Sequence, residues 1–327
     1  MSPGTNSWQA VTPDEWLQVL SILGPDLHPY QTPDWHGLLR GGGVQLSYWA
    51  EYSLDSGQPI HGFHGSLQGW GPCQRLVLPL LTPYLGWVRD PKKDIQSSRM
   101  ELPLSIDGVA SPPLWHQPLP VEKPCLPLRN TCYLDLSRGY ATFQAGLAAH
   151  ARRHLKKVHR QSAWTLETIQ PADFPAVHAY PILKQVWIRR GLRCPVSPIL
   201  FSSLWEGQAS TGFRRWWVAR RLGKAQALLM TIEHGKTLAY AVAACLPEAL
   251  ADGVATALLV RSAEDAICRG LSRYDLVGAN TPAITRFKMG MGAILIAYPV
   301  THQLRRPFSW LLPAWRKLRN PISLEIS

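Results

Sequence analysis

Lys288 sits where a single cation could do chemistry, in Ile284-Thr285-Arg286-Phe287-Lys288-Met289-Gly290-Met291-Gly292. An ammonium beside Phe287 and ahead of Gly290 and Gly292 could neutralise a phosphate or an oxyanion. The alternative is an ordinary solvated lysine on a short helix. Upstream, Asp275 stands in the apolar run Tyr274-Asp275-Leu276-Val277-Gly278. Its carboxylate could orient a substrate or take a proton through water, or it could cap the turn that follows. Gly278 and Asn280 are expected to form that turn, permitting positive φ and close backbone approach. A third feature is the cluster Arg152, Arg153, Lys156, Lys157 and Arg160, with His154 and His159 between them. It could bind a pyrophosphate or an RNA backbone, or be no more than a solvated helix face. Arg286 is a further candidate phosphate ligand.

Other chemistries find little footing. The six cysteines (Cys73, Cys125, Cys132, Cys194, Cys245 and Cys268) form no C-x-x-C pair and have no histidine at zinc spacing, so reduced thiols and no metal are expected. No Ser-His-Asp or Cys-His order stands out, and no redox or tightly bound cofactor is indicated. The start lacks a basic and an apolar segment of secretory type, which predicts a cytoplasmic protein. Thr237 to Val260 is apolar but broken at Pro247-Glu248 and Asp252-Gly253, too short to span a bilayer. A net charge of +12 calls for an acidic partner: nucleic acid, an anionic lipid surface or a phosphorylated substrate. The 14 tryptophans point more to core than to an open groove.

The elements that must hold these residues follow from periodicity. Asp14–Leu23 is a predicted helix with Trp16, Leu17, Leu20 and Leu23 inward, and Val44 to Leu54 alternates as a strand. Leu76–Leu81 is a candidate central strand. From Pro83 to Pro127, turn residues and prolines predict a connection between two halves, with a boundary near residue 128. In the second half, Thr131–Leu136 is a strand, and Tyr140–Gln161 is one amphipathic helix. Trp164–Ile169 is a strand, and Asp173–Arg190 a helix bent at Pro181 with Phe174, Val177, Tyr180, Leu183 and Val186 inward. A short helix opens at Ser197-Pro198. Trp216–Ala219, Gln226–His234 and Thr237–Leu246 are strands, the last two a hairpin. Leu258–Leu271 is a helix, Tyr274–Val277 a strand, Thr281–Met289 a short helix capped by Thr281, and Ala293–Thr301 a last strand. This order is mixed α/β and not doubly wound.

Several motifs together resemble the FemAB-like branch of the GNAT superfamily, whose D-x-x-G strand end and F-K-x-x-x-G turn are matched by Asp275 to Gly278 and Phe287 to Gly292. Tyr133-Leu134-Asp135-Leu136-Ser137, Arg152-Arg153-His154-Leu155-Lys156-Lys157, Gln31-Thr32-Pro33-Asp34-Trp35 and Leu81-Thr82-Pro83-Tyr84-Leu85-Gly86 are similar to other segments of that family. The resemblance implies two GNAT-like domains, each a mixed, largely antiparallel sheet flanked by helices: residues 1–128, with catalysis degenerate, and residues 129–303, the acyltransferase. Residues 304–327 would be a basic, aromatic tail suited to an anionic membrane or to packing on the first domain.

It implies transfer of an acetyl or aminoacyl group from acyl-CoA or aminoacyl-tRNA to a small-molecule or lipid-linked amine, in bacterial cell-envelope or polysaccharide metabolism. The setting would be the cytoplasm or the inner membrane surface. Lys288 and Asp275 would be catalytic. Arg152, Arg153, Lys156, Lys157 and Arg286 would face donor phosphates, and Gly278, Asn280, Phe287, Gly290 and Gly292 would shape the substrate loop. The Q/R-x-x-G-x-G/A phosphate loop of many GNAT enzymes is not evident before Leu258, where Ala251-Asp252-Gly253-Val254-Ala255 stands instead. Some relatives also carry an acidic residue where this chain has Val277. The rival reading is a non-catalytic nucleic-acid- or membrane-binding protein on the same fold.

Overall fold

A computed structural model describes residues 7–24, 26–69, 74–89, 104–113, 128–161 and 163–305. The tail expected beyond Arg305, and Pro118, Pro120, Pro124 and Pro127, lie outside the described residues. Those up to Pro33, from Val44 to Arg129 and from Tyr298 onward make one compact unit; Asp34–Gly43 and Asn130–Ala297 make another. The expected cut near residue 128 therefore misses two exchanged segments. Residues 34–43 go with the second unit because Ser203 Oγ donates to the Leu38 carbonyl (2.6 Å) and Asp34 Oδ1 accepts from the Ser210 amide (2.6 Å).

The chain opens with β1 (Ser7–Val11), α1 (Pro13–Leu23), α2 (Pro33–Gly41), β2 (Leu46–Tyr52), β3 (Pro59–Gln68), β4 (Arg75–Val77), β5 (Gly86–Arg89) and β6 (Ser105–Ala110). α1 begins at a capping box, in which Thr12 Oγ1 accepts from the Glu15 amide and Glu15 Oε2 accepts from the Thr12 amide. Its inward face is Trp16, Val19, Leu20 and Leu23, packed on Tyr48, Ala50 and Val88. Val19 replaces the predicted Leu17, which is exposed, because 16, 19, 20 and 23 share one helical stripe.

The apolar run at Leu76 pairs only as far as Val77. Pro79 has no amide to donate, and Leu81 turns the chain with φ 61°. The Pro-rich stretch beyond is more than a connection, since β5 and β6 lie within it. Gln31 Nε2 donates to the carbonyls of Leu85 and Trp87, both at 2.8 Å, pinning β5 from the side.

The remainder comprises β7 (Leu128–Asp135), α3 (Gly139–Gly146), α4 (Ala149–Arg160), β8 (Trp164–Ile169), α5 (Ala176–Ile188), α6 (Pro198–Glu206), β9 (Arg214–Arg221), β10 (Lys224–His234), β11 (Thr237–Cys245), α7 (Pro247–Asp252), α8 (Val254–Cys268), β12 (Arg273–Gly278), α9 (Pro282–Met289) and β13 (Ile294–Gln303). Four expectations shift. Pro175 delays α5 to Ala176, which buries Ala176, Ala179, Ile182, Leu183 and Trp187 and leaves Val177 exposed. α8 starts earlier, at Val254, and Pro247–Asp252 before it forms α7. Thr281 does not cap α9 with its side chain; Thr285 Oγ1 instead donates to the carbonyls of Ala279 (2.7 Å) and Thr281 (3.0 Å).

The fourth shift concerns Tyr140–Gln161, which is two helices broken at Leu147 and Ala148. The break frees the Ala148 amide to donate to the Gly290 carbonyl at 2.9 Å, and lets Gly146 lie directly against Gly292.

The two sheets share an order. In the first unit β1, β2, β3 and β4 are antiparallel neighbours, β4 pairs parallel with β6, and β6 pairs antiparallel with β13. In the second β8, β9, β10 and β11 are antiparallel, β11 pairs parallel with β12, and β12 pairs antiparallel with β7. Each unit thus contains one parallel pair in an antiparallel sheet. Tryptophan serves the core: the Trp205 and Trp216 rings lie 4.1 Å apart, and Trp205 Nε1 donates to the Phe174 carbonyl at 2.8 Å.

Gly139 and Gly292 both have φ near +80°, but only Gly292 has a backbone neighbour, the Gly146 oxygen 3.1 Å from where a Cβ would stand. Gly139→Ala should cost the conformational penalty alone, about 1–2 kcal/mol. Gly292→Ala should cost about 1 kcal/mol more by chemical denaturation, because the α3–α4 corner must also give way.

Candidate active site

The parallel strands β11 and β12 stay together for only three positions: Thr237 with Arg273, Leu238 with Tyr274 and Ala239 with Asp275. Past that point β11 continues beside β10, and β12 beside β7, where Gly278 meets Thr131. Both departures coincide with irregular register, opposite Met230 and Thr231 on β10 and between Asp275 and Gly278 on β12. A wedge opens between two parallel strand ends.

Lys288 occupies that wedge. It is only 3% exposed; its Nζ donates to the carbonyls of Val277 (3.0 Å) and Gly278, and lies 5.6 Å from the centre of the Tyr240 ring on β11. The alternative of an ordinary solvated lysine does not hold: Phe287 packs on the core beside it, and one turn of α9 carries the ammonium inward. Burial pulls its pKa down to about 8, against the opposing influence of Cys132 and Asp275.

The carbonyls point at Lys288 because of an unusual turn. Asp275, fully buried, accepts on Oδ1 from the Thr131 hydroxyl (2.6 Å) and from the Val277 amide (2.7 Å). That second bond, from a side chain to an amide two residues on, folds the strand end back on itself. Val277 then takes φ 50°, a costly value for a β-branched residue. Sequence reasoning assigned the positive φ to Gly278, but Gly278 is not left-handed; the strain sits one residue earlier. Asn280 works at a distance from the wedge's floor: its Oδ1 accepts from the Asn130 amide (2.9 Å) while the Ala279 amide donates to the Asn130 carbonyl (2.9 Å), clasping the turn to β7.

Gly290 and Gly292 are explained by contact. A Cβ on Gly290 would fall 2.4 Å from the His150 ring, and Gly292 abuts Gly146. Cys132, wholly buried in β7, is pushed up to about 11 by burial and is a packed thiol.

The basic helix α4 divides into two sets. Arg152 Nη1 donates to the Leu147 carbonyl (2.6 Å), and Lys157 Nζ binds Asp252 Oδ1 (2.9 Å) and the Ala251 carbonyl (3.0 Å), so these two hold local structure. Arg153, Lys156 and Arg160 are exposed along one helical stripe, as is Arg286 on α9. The phosphate-binding set is thus not one cluster.

The start of α8 does not fit a donor pyrophosphate. Gly253, at φ 84°, has His154 of α4 directly over it, with the His154 Cβ 2.5 Å from where its own would be. His154 Nδ1 lies 3.2 Å from Thr256 Oγ1, and the Ala255 amide is engaged by the Cys245 thiol. The Gly253 amide donates to the Leu250 carbonyl at 3.1 Å, so neither it nor the Ala255 amide is open to a phosphate. Among the described residues no three His, Cys, Asp or Glu side chains converge as a metal ion would require, and no helix is long and apolar enough to cross a membrane.

Thr131 and Tyr240 were missed by sequence reasoning. Tyr240 alternates among small residues in β11, a signal of a crowded neighbour, but nothing in the spacing pairs it with Lys288.

Below pH 8 the folded protein carries the full cost of charging Lys288, and above it the unfolded chain binds one proton more than the native state, so this group makes stability rise with pH. From about pH 8 the thiols Cys132 and Cys245, raised by burial to about 11 and about 12, act oppositely and offset much of that rise. Denaturation measurements should show the native protein gaining on the order of 1 kcal/mol relative to Lys288→Met from pH 8 to pH 9.

Residues 146–289, which contain α4 to α9 and the wedge, match the family described as acetyltransferase (GNAT) domain. No curated protein matches the chain in sequence. Among solved structures, FemX is similar over 96% of this chain and 100% of its own, at 10% identity and a TM-score of 0.62. L-PGS from Bacillus licheniformis is similar over 95% and 98% (10% identity, TM-score 0.53), and the tandem GNAT protein from the clavulanic acid biosynthesis pathway over 90% and 97% (14%, 0.52). The likeness spans both units, consistent with the strand order they share. Residues 146–289 of the second unit thus match the model of the GNAT acetyltransferase domain, and the fold of the chain is similar to those of FemX and the tandem GNAT protein.

Proposed function

We propose that the chain is an N-acyltransferase whose transfer site is the wedge between β11 and β12. The observation that carries this reading is the ammonium of Lys288 buried where two parallel strands part. An ammonium has three N–H donors and two are taken by backbone carbonyls. The third is left for the oxygen of an acyl group, whose charge grows as the tetrahedral intermediate forms. A donor already fixed in a dry site needs no reorganisation at that moment.

In the reaction the acceptor nitrogen forms a bond to the acyl carbon, the donor's ester or thioester bond breaks, and the amine proton passes to the leaving group. Asp275, with Thr131, acts through the turn, as a positioning residue and not as the base.

Of the two donors, aminoacyl-tRNA suits the residues better than acyl-CoA. His154 packs over Gly253 at the start of α8, whereas Arg153, Lys156 and Arg160 offer an exposed stripe to a phosphate backbone. The acceptor is an amine on a small molecule or a lipid-linked precursor, and the net charge of +12 favours work near an anionic surface of the cell envelope. A non-catalytic RNA-binding role is the second reading, and the same stripe favours it.

The test is transfer of labelled acyl groups from acetyl-CoA and from aminoacyl-tRNA to a panel of amines, with tRNA binding measured alongside. Lys288→Met should reduce transfer about 10²–10³-fold and leave the salt dependence of tRNA binding intact. Arg153→Ala with Lys156→Ala should do the reverse, weakening binding and flattening its salt slope. Binding without turnover from either donor would sink the enzyme reading in favour of the second.

A further inference from the structure

A second cleft, away from Lys288 and Asp275, opens among α3, α4, β8 and α8. Its volume is about 230 Å³, and one side is apolar: Leu155, Leu166, Ala257 and Val260. The other side is a run of polar groups with a definite direction. Gln144 Nε2 donates to the Tyr140 hydroxyl, which donates to Glu264 Oε1 (2.8 Å), and Arg261 Nη1 donates to Glu264 Oε2 (3.0 Å). Each oxygen of the one carboxylate accepts one of these bonds, and the donors left unspent, the rest of the Arg261 guanidinium, the second amide N–H of Gln144 and the His159 ring at the rim, outnumber its remaining lone pairs. The exposed cations Lys156 and Arg160 flank His159 on α4.

We infer that this cleft binds an amphipathic anion, a carboxylate or phosphate monoester with a short apolar body. The head meets Arg261 and His159, and the body lies on Leu155, Leu166, Ala257 and Val260. Charge selects the head, because Arg261 offsets the single acid, Glu264, and the exposed Lys156 and Arg160 leave the rim with a cationic excess. Volume limits the body, since the cleft is smaller than the roughly 300–1,000 Å³ typical for drug-sized ligands. Eight carbons are about what it holds. The inference does not depend on the acyl-transfer reading, as none of these residues is part of the wedge.

Ligand-detected NMR titration of the full chain with octanoate, octyl phosphate, octanol and octylamine tests it. Octanoate or octyl phosphate should saturate with a Kd of about 1 mM, a value in keeping with a ligand of this size, and whichever binds more tightly names the head group. Arg261→Gln, an exposed position that should leave the melting temperature unchanged, should weaken that binding about tenfold. Leu166→Gln should weaken octanoate more than it weakens butyrate. Octylamine or octanol binding as tightly as octanoate, unchanged affinity in Arg261→Gln, or no saturable binding of either anion would each overturn the inference.

Discussion

The ammonium of Lys288, taken out of water and given two backbone carbonyls in exchange, is the interaction on which the second unit is arranged. Leaving a cation unpaired at 3% exposure would cost several kcal/mol, so the surrounding backbone must present oxygen to it. A regular strand cannot aim two successive carbonyls at one point, because they alternate in direction. The departure from regularity supplies them: Asp275 captures the Val277 amide, Val277 accepts a left-handed conformation, and β12 leaves β11. The strain at Val277 and the burial of Lys288 are two sides of one arrangement, each tolerable because of the other.

The glycine spacing of the same motif belongs to this arrangement too. α9 can carry Lys288 inward only if the chain after it turns sharply past α3 and α4. Gly290 makes room for His150, Gly292 makes room for Gly146, and the break between α3 and α4 supplies the amide that bonds Gly290. What reads as a loop signature is a set of steric allowances for one buried side chain.

Much of this was legible in the sequence and some was not, for identifiable reasons. Strands such as β10 and β11 and the start of α1 follow from alternation and from Thr12-Pro13, because local signals and tertiary demands agree there. Motif positions from Asp275 to Gly292 lie together in the fold, but through contacts that their spacing does not show. Burial of Lys288 depends on Tyr240 and Thr131, which lie far away in sequence. The left-handed residue was sought at glycine, where it costs least, and found at valine, where a side-chain hydrogen bond imposes it. The α3–α4 break hides inside an unbroken amphipathic pattern, since Gly146 and Leu147 fit the helical period while the Ala148 amide answers to Gly290. Likewise the cationic run on α4 looked uniform, and only the fold separates Arg152 and Lys157, committed to local carbonyls and Asp252, from the exposed stripe.

The last strand has a bearing on how the protein is made. β13 is the last strand among the described residues, yet Val300 to Gln303 pair with β6 in the first unit, and the Arg305 amide donates to Ser105 Oγ at 3.0 Å. A ribosome delivers β6 well before β13, so the first unit emerges with one flank of its sheet bare, its backbone groups open to any passing strand. Until the C-terminal residues arrive, this half of the molecule is an unfinished sheet, and its exposure to aggregation or chaperone capture lasts as long as translation of the second half.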